Sequence, residues 1–244
     1  MHRLLAILCL FEGGPMANAF DLASVSTIEG RKVTVCRVDL HKEVLEIFLR
    51  DAVGAPLKSF DGIERYLEPQ GKRLVFGMNA GMYHGNLSPV GLLVSHGVTL
   101  RPLNLEGGGG NFFLKPNGVF MISDRGARVI ASDEYPELNE KVLLATQSGP
   151  LLLRAGRLHP AFHQDSKNRL YRNGVGVVSP QSVVFAISEE PVNFYEFATL
   201  FRDVLHCQDA LFLDGTISSL HAPELKRSDK KMDLGPIIGI VGGR

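Results

Sequence analysis

The stretch NFYEFATLFRDVLHCQDALFLDGTISS, residues 193–219, predicts a helix followed directly by a central strand. Asn193, with Glu196 three residues later, forms a capping-box pattern that starts a helix. Apolar residues then recur at the i, i+3, i+4, i+7 spacing of a single helix face, namely Phe197, Leu200, Phe201 and Val204. The next apolar run, residues 210–213, has no polar face and ends abruptly at Asp214, so we expect a strand covered on both sides and a helix packed on its sheet.

Short apolar segments joined by polar turns predict hairpins on both sides of this stretch. The five pairs are residues 32–39 with 44–50, 91–94 with 98–100, 119–122 with 128–131, 151–153 with 157–158, and 175–178 with 182–187. A second, shorter helix is predicted to begin at Asp61, with Glu64 in the third position, and to bury Ile63 and Leu67. The predicted class is α+β, a mainly antiparallel or mixed twisted sheet built from hairpins with a few helices packed on it.

The amino-acid composition argues against some classes of binding partner. The chain has 244 residues, of which 45% are hydrophobic and 21% charged, and 26 Lys and Arg balance 26 Asp and Glu. Such a chain can form one full-sized domain, and it has neither repeats nor linkers. A net charge of zero gives no electrostatic basis for nucleic acid or an anionic membrane surface as the main partner.

The N-terminus has the pattern of a secretory signal peptide. A short basic start, the apolar run of residues 4–11 and Ala17-Asn-Ala19 before Phe20 predict cleavage after residue 19. The alternative is an N-terminal strand or helix of the core. Export to the periplasm or the medium follows, with residues 20–244 as a single domain. No later stretch approaches about 18 consecutive apolar residues, so no stable membrane insertion is predicted.

Two cysteines remain after removal of the predicted signal. In an oxidising compartment Cys36 and Cys207 could form one disulfide, which is the prediction adopted here. Both lie in apolar surroundings, so two buried free thiols are the alternative.

Polar residues in Gly-rich turns after apolar runs are the candidate functional residues. They occur in Asn79-Ala-Gly-Met-Tyr, Gly110-Asn-Phe-Phe, Ala145-Thr-Gln-Ser-Gly-Pro, Arg172-Asn-Gly-Val-Gly and Asp214-Gly-Thr-Ile-Ser. Each alone is typical of an ordinary turn. Together, amides, one Arg and one Asp suit an anionic, hydroxyl-rich ligand.

The sequence lacks the motifs of several other classes of functional site. The run Gly107 to Gly110 fits neither phosphate-loop nor dinucleotide-loop spacing. No histidine pair has the H-E-x-x-H pattern of a metal site, so no metal site and no cofactor are predicted. Ser148 lacks the first glycine of a nucleophile elbow, which argues against a serine hydrolase.

Taken in order along the chain, these five motifs resemble the phosphodiester glycosidase family, which includes the lysosomal enzyme that uncovers mannose 6-phosphate. The resemblance extends from about Cys36 to Gly239 and is closest to small exported bacterial members. Where the animal enzyme has D-G-G-G-S, this chain has Asp214-Gly-Thr-Ile-Ser.

The resemblance implies hydrolysis of a sugar-1-phosphodiester at the anomeric carbon. Asp214 would serve as the catalytic carboxylate and Arg172 would hold the phosphate, while Glu189 or Glu190 could supply a second carboxylate. The implied substrate-binding residues are Asn79, Gly81, Tyr83, Gly110, Asn111, Asn117, Gln147, Ser148, Asn173, Gly215, Thr216 and Ser218.

Two alternatives stay open at this stage. One is a non-catalytic periplasmic protein that binds a glycan or phosphoglycan in the same groove. The other is attack at the phosphorus, which would release the sugar phosphate. The expected partner is a carbohydrate phosphodiester or an envelope or exopolysaccharide glycan, and the sequence determines neither the sugar, the stereochemical course nor the oligomeric state.

Overall fold

The structure is a computed structural model, and it describes residues 20–27, 29–215 and 217–243. The two helices are α1 (Phe60–Leu67) and α2 (Phe194–Thr199). The strands are β1 (Phe20–Ser26), β2 (Lys32–Asp39), β3 (Leu45–Phe48), β4 (Lys72–Asn79), β5 (Leu93–Ser95), β6 (Val98–Arg101), β7 (Gly118–Ser123), β8 (Gly126–Ala131), β9 (Val142–Ser148), β10 (Leu151–Arg154), β11 (Arg157–Leu158), β12 (Asn173–Ser179), β13 (Ser182–Ser188), β14 (Asp209–Asp214), β15 (Leu220–Ala222), β16 (Arg227–Ser228) and β17 (Ile237–Gly243).

The described strands form three sheets. A seven-stranded sheet has the order β1-β2-β13-β12-β14-β10-β11, and two five-stranded sheets have the orders β16-β15-β4-β17-β3 and β6-β5-β9-β7-β8. Every pairing between these strands is antiparallel. With few helices beside the sheets, the predicted α+β class is confirmed.

One hydrophobic core is shared by the inner faces of all three sheets. Phe185 from the seven-stranded sheet lies at its centre. Its ring centroid is 5.4 Å from that of Phe76 on β4 and 6.1 Å from that of Phe120 on β7. Each sheet thus contributes one buried aromatic ring to the same contact, which ties the three sheets together.

Helix α2 begins as predicted. The Asn193 side chain accepts a hydrogen bond from the Glu196 N–H, and the Glu196 carboxylate accepts one from the Asn193 N–H, each at 2.9 Å. The helix continues as a wider π turn over Leu200–Val204. Its apolar face packs on the outer face of the seven-stranded sheet, where β14 is an interior strand as predicted.

Helix α1 begins one residue earlier than predicted. The cap is Ser59, whose hydroxyl accepts a hydrogen bond from the Gly62 N–H at 3.1 Å, so Asp61 lies in the first turn instead of starting the helix. Ile63 and Leu67 are buried as predicted. They pack against the outer face of β4 and β17.

Four of the five predicted hairpins are confirmed, namely β5 with β6, β7 with β8, β10 with β11, and β12 with β13. The first one is wrong, because β2 pairs with β1 and β13 whereas β3 pairs with β17 in another sheet. The short segment between them therefore crosses from one sheet to another instead of forming a hairpin turn.

The predicted disulfide is not formed. Cys36 and Cys207 are both buried free thiols. Cys36 lies in the core between the sheets and Cys207 lies under α2, so the two thiols belong to clusters on opposite faces of the seven-stranded sheet. Burial raises the pKa of both thiols, that of Cys207 to about 12, which keeps them protonated and unreactive.

This arrangement predicts how the thiols react. Alkylation without reductant should leave Cys36 and Cys207 unmodified in the native protein and should label both after denaturation. Peptide mass mapping measures the labelling. Recovery of a linked peptide containing both residues would contradict the structure.

The predicted signal peptide, residues 1–19, lies outside the described residues. Within the part of the chain that the structure describes, no helix is long and apolar enough to cross a membrane.

Candidate functional site

The candidate site forms where strands from different sheets end side by side. Asn79 ends β4, Ser148 ends β9, Asn173 begins β12 and Asp214 ends β14. In the seven-stranded sheet Asn173 lies directly opposite Asp214. Four of the motifs singled out in the sequence are therefore brought together by the topology.

A buried amide network connects these strand ends. The Asn173 side chain donates to the main-chain and side-chain oxygens of Asn79 at 2.9 and 3.1 Å. Its Oδ1 accepts from the Asp214 N–H at 2.8 Å. The Asn79 Oδ1 also accepts from the Ser219 N–H at 2.8 Å. Because Asn79 and Asn173 are 0% exposed, these bonds hold the backbone of the Asp214 turn in one position.

Asp214 is half-buried and carries an unpaired charge. Its Oδ1 accepts from the Gly215 N–H at 2.6 Å, and within the described part of the chain no cation forms an ion pair with it. Burial raises the pKa of Asp214 to about 6, and the Gly215 N–H opposes that rise in part. A carboxylate kept in this state is the kind of group that catalysis uses.

Tyr83 lies within electrostatic range of Asp214. Its hydroxyl donates to the main-chain oxygen of Asp233 at 2.8 Å. Burial raises the pKa of Tyr83 to about 12, and the charge of Asp214 adds to the rise. Tyr83 is therefore a neutral hydroxyl at ordinary pH.

Ser148 and Ser218 support the main chain around Asp214. The Ser148 hydroxyl donates to the Leu213 oxygen at 2.7 Å, which joins β9 to β14. The Ser218 hydroxyl donates to the Gly215 oxygen at 2.7 Å. Both hydroxyls are buried and already bonded, so they shape the turn.

Arg172 is enclosed by protein. It is 0% exposed, with its guanidinium carbon 3.6 Å from the centre of the Phe194 ring. Nε and Nη2 donate to the main-chain oxygens of Val192 and Asn168, and Nη1 is buried with no partner among the described residues. Burial lowers the pKa of Arg172 to about 10, which still leaves it charged at neutral pH. This geometry places the guanidinium away from any ligand that approaches from solvent.

The comparisons with known proteins agree with the motifs. The sequence model of the family described as phosphodiester glycosidase (NAGPA) matches residues 72–231, which is more than half of the chain. The chain belongs to the phosphodiester glycosidase family. A relative from Escherichia coli, called uncharacterized protein YigE, is 31% identical over 184 residues, which cover 75% of this chain and 72% of that protein.

Solved structures share the phosphodiester glycosidase fold. The catalytic domain of zebrafish N-acetylglucosamine-1-phosphodiester alpha-N-acetylglucosaminidase, auto-inhibited by its pro-peptide, has a TM-score of 0.64 at 13% identity, covering 93% of this chain and 85% of that one. A hypothetical protein from Synechocystis has a TM-score of 0.54 at 14% identity, covering 92% and 62%. At these identities the likeness establishes the fold.

Two residues that the family resemblance implied as ligands have side chains that bond to other parts of the protein. The Gln147 amide accepts from the Leu92 and Asn104 N–H groups, and donates to the Asn104 oxygen and the Ser132 hydroxyl. Asn117 is buried and donates to the Phe112 oxygen at 2.9 Å. Both amides organise loops behind the site of this family member.

The glycine-rich loop before β7 lies next to the end of β9. Gly110 is exposed with a φ of 86°, a conformation that favours glycine, and it precedes the 3-10 turn Asn111–Phe113. The Asn111 side chain is half-buried, and its main-chain oxygen would lie 3.2 Å from a Cβ placed on Gly149. Asn111 therefore lies next to the end of β9. Thr216, another implied ligand, lies outside the described residues.

Gly81 allows the loop after β4 to approach β9 closely. A Cβ at Gly81 would lie 2.3 Å from the Gln147 main-chain oxygen, whereas one at Gly85 would meet nothing within 4 Å. We expect Gly81→Ala to lower the free energy of unfolding by about 1–3 kcal/mol, because the backbone must move. Gly85→Ala is the control and should change it little. Urea unfolding measures both, and equal effects would contradict this packing.

The two candidates for a second carboxylate are engaged elsewhere. Glu189 pairs with Arg227 at 2.5 Å and accepts from the Thr34 hydroxyl, and Glu190 pairs with Arg31 at 3.0 Å. These ion pairs engage both carboxylates at the end of β13. The suggestion that either one assists Asp214 is therefore not supported by the geometry.

Sequence reasoning missed three residues beside Asp214. Ser219 joins the amide network through its N–H. Tyr171 is 43% exposed, and Lys231 Nζ lies 5.2 Å from the centre of its ring and 3.5 Å from the Ser218 oxygen. Lys231 belongs to a charged run that is typical of solvated surface, so no sequence signal distinguished it. No group of three metal-ligating side chains occurs among the residues described here.

Proposed function

We propose that this chain hydrolyses a sugar-1-phosphodiester at the anomeric carbon and releases the free sugar and a phosphomonoester. The proposal is supported by family membership and, above all, by one observation, the unpaired and half-buried carboxylate of Asp214, whose main-chain N–H is held by Asn173. N-acetylglucosamine is the first sugar to test, because the zebrafish relative is named for it.

Asp214 has the role of the carboxylate at the anomeric centre. As the bond to phosphate breaks, positive charge develops on the sugar ring, and an ionised carboxylate next to it stabilises that charge, attacks the carbon or activates water. A phosphate ester is a weakly basic leaving group, so a strong protein acid is less necessary than for an alkyl glycoside. One positioned carboxylate then serves at the carbon, and the departing phosphate needs charge stabilisation of its own.

Arg172 has a positioning role in this proposal. Its stacking on Phe194 and its bonds to the oxygens of Val192 and Asn168 order the segment that leads into Asn173. Asn173 in turn holds the Asp214 N–H. Arg172 therefore acts on Asp214 through the backbone.

The activity should depend on pH through Asp214. Because its pKa is raised to about 6, the carboxylate is protonated below that pH and unavailable as a nucleophile or base. We expect kcat/KM to fall about tenfold per pH unit below pH 6 and to level off above it. A profile from pH 4 to 8 measures this. Activity that increases toward acid would instead make Asp214 a proton donor.

The direct test is incubation of the protein with N-acetylglucosamine-1-phosphodiester compounds and identification of products by mass spectrometry. Free sugar with phosphomonoester, lost in Asp214→Asn, is the expected result. Glycan binding without turnover of any diester would replace the enzyme with a binding protein.

Export is part of the same proposal. Cleavage after residue 19 would place the protein in the periplasm or the medium, where phosphodiester-linked sugars of the envelope or of exopolysaccharide are available as substrates. N-terminal sequencing of the exported protein should begin at Phe20. A cell-associated protein that retains Met1 would contradict export.

A further inference from the structure

The proposed reaction needs a cation at the phosphate, and Arg172 does not offer one to solvent. Two of its nitrogens bond to main-chain oxygens, and the third, Nη1, is buried. A diester carries one negative charge, and its leaving group gains a second as the bond breaks. A cation that contacts the phosphoryl oxygens therefore stabilises the transition state more than the ground state.

Three other cations, two of them in the same segment as Lys231, already have acidic partners. Lys58 pairs with Asp233 at 3.4 Å and Lys230 pairs with Asp61 at 2.6 Å. Arg227 pairs with Asp229 at 2.8 Å and also with a second carboxylate. Each of these charges is therefore balanced by at least one carboxylate.

Lys231 differs from these neighbours. Within the described part of the chain it has no acidic partner. Its Nζ lies 3.5 Å from the main-chain oxygen of Ser218 and 5.2 Å from the centre of the Tyr171 ring. An ammonium group has three donors, so Lys231 keeps donors for a ligand after its contact with Ser218.

Lys231 contacts the turn that follows Asp214. The Ser218 hydroxyl donates to the main-chain oxygens of Asp214 and Gly215. The main-chain oxygen of Ser218 contacts Lys231 Nζ. Lys231 thus contacts the turn that follows Asp214, and the two residues do not form an ion pair with each other. An unpaired anion at the start of this turn and an unpaired cation in contact with it match a substrate whose reacting carbon and phosphoryl group are joined by one oxygen.

We propose that Lys231 binds the phosphoryl group of the substrate, an inference that rests on the proposed function. The Tyr171 ring holds the ammonium in place through a cation–π contact, which lowers the ordering cost of binding. In the reaction the bond between the anomeric carbon and the phosphate oxygen breaks, and its electron pair stays on that oxygen. Water adds to the carbon and releases one proton, and Lys231 neutralises the second charge of the phosphomonoester.

The kinetic test compares Lys231→Ala with Lys230→Ala, its paired neighbour. We expect Lys231→Ala to lower kcat/KM for the diester about 10- to 100-fold, which corresponds to loss of a charge-assisted contact. Lys230→Ala should stay within about twofold, and Lys231→Arg should recover most of the activity because it keeps the charge. Equal values for Lys231→Ala and Lys230→Ala would overturn the proposal.

A binding test separates this inference from the proposed reaction. Inorganic phosphate is titrated into the wild type and Lys231→Ala, with backbone amide shifts of residues 215–219 followed by NMR. Shifts in the wild type that are lost in Lys231→Ala support the phosphate site, even if no diester is hydrolysed and the proposed function fails. Turnover by the wild type with no phosphate-dependent shift would retain the reaction and overturn the role of Lys231.

Discussion

Replacement of Asp214 by Asn is expected to abolish turnover while the fold is retained. The substitution removes the charge that the anomeric centre requires, and the loss in kcat should be at least about 10³-fold. The Asn oxygen can still accept from the Gly215 N–H, and the Asp214 N–H bond to Asn173 does not depend on the side chain. Steady-state kinetics with the diester measures the loss, and ligand binding should stay close to that of the wild type.

The same substitution should stabilise the protein at neutral pH. The folded state raises the pKa of Asp214 to about 6, so between about pH 4 and pH 6 it binds more protons than the unfolded state. Stability therefore decreases as pH rises through that window, and the cost persists above it. Asn carries no charge, so the variant does not have this cost. We expect its free energy of unfolding to be about 1–2 kcal/mol higher at pH 7.

The pH dependence provides the control for that gain. Below about pH 3 Asp214 is protonated in both states, and the two proteins should be equally stable. Urea unfolding at about pH 3 and at pH 7 measures the difference. If Asp214→Asn were less stable at pH 7 and retained turnover, Asp214 would be a structural turn residue.

Replacement of Asn173 by Ala should damage both stability and activity. It leaves the buried Asp214 N–H without its acceptor and removes the donor to Asn79. Loss of these bonds should cost about 2–4 kcal/mol of unfolding free energy. Because Asp214 then loses its fixed position, kcat should fall about 100-fold. Unfolding and kinetics on the same sample measure the two effects.

Asn117→Ala is the matched control for Asn173→Ala. Asn117 is also a buried amide, but its bond to the Phe112 oxygen does not reach Asp214. It should reduce stability with a much smaller effect on kcat. If the two variants lose activity in the same proportion to their stability, Asn173 has no specific role in holding Asp214.

Local chemistry explains which parts of the fold could be predicted. The capping bonds between Asn193 and Glu196 involve residues three apart, and the confirmed hairpins have short turns between their strands. The segment between β2 and β3 is equally short, yet β3 pairs with β17 near the other end of the chain. Competition between a local partner and a distant one cannot be decided from the two strands alone.

The candidate site, too, could be predicted only in part. The motifs at Asn79, Asn173 and Asp214 could be recognised as polar strand ends, and the family resemblance joined them. The enclosure of Arg172 could not be predicted, because it depends on the ring of Phe194 and on the main-chain oxygen of Val192, both distant in the sequence. Lys231 could not be identified from the sequence either. Its lack of an acidic partner becomes evident only when the structure shows which carboxylates the neighbouring cations bind.

The most direct test of the central claim is hydrolysis of a sugar-1-phosphodiester in water enriched in oxygen-18. If the protein cleaves at the anomeric carbon, mass spectrometry will find the heavy oxygen in the released sugar, and the phosphomonoester will carry none. Heavy oxygen in the phosphate would mean attack at phosphorus and would contradict the role assigned to Asp214.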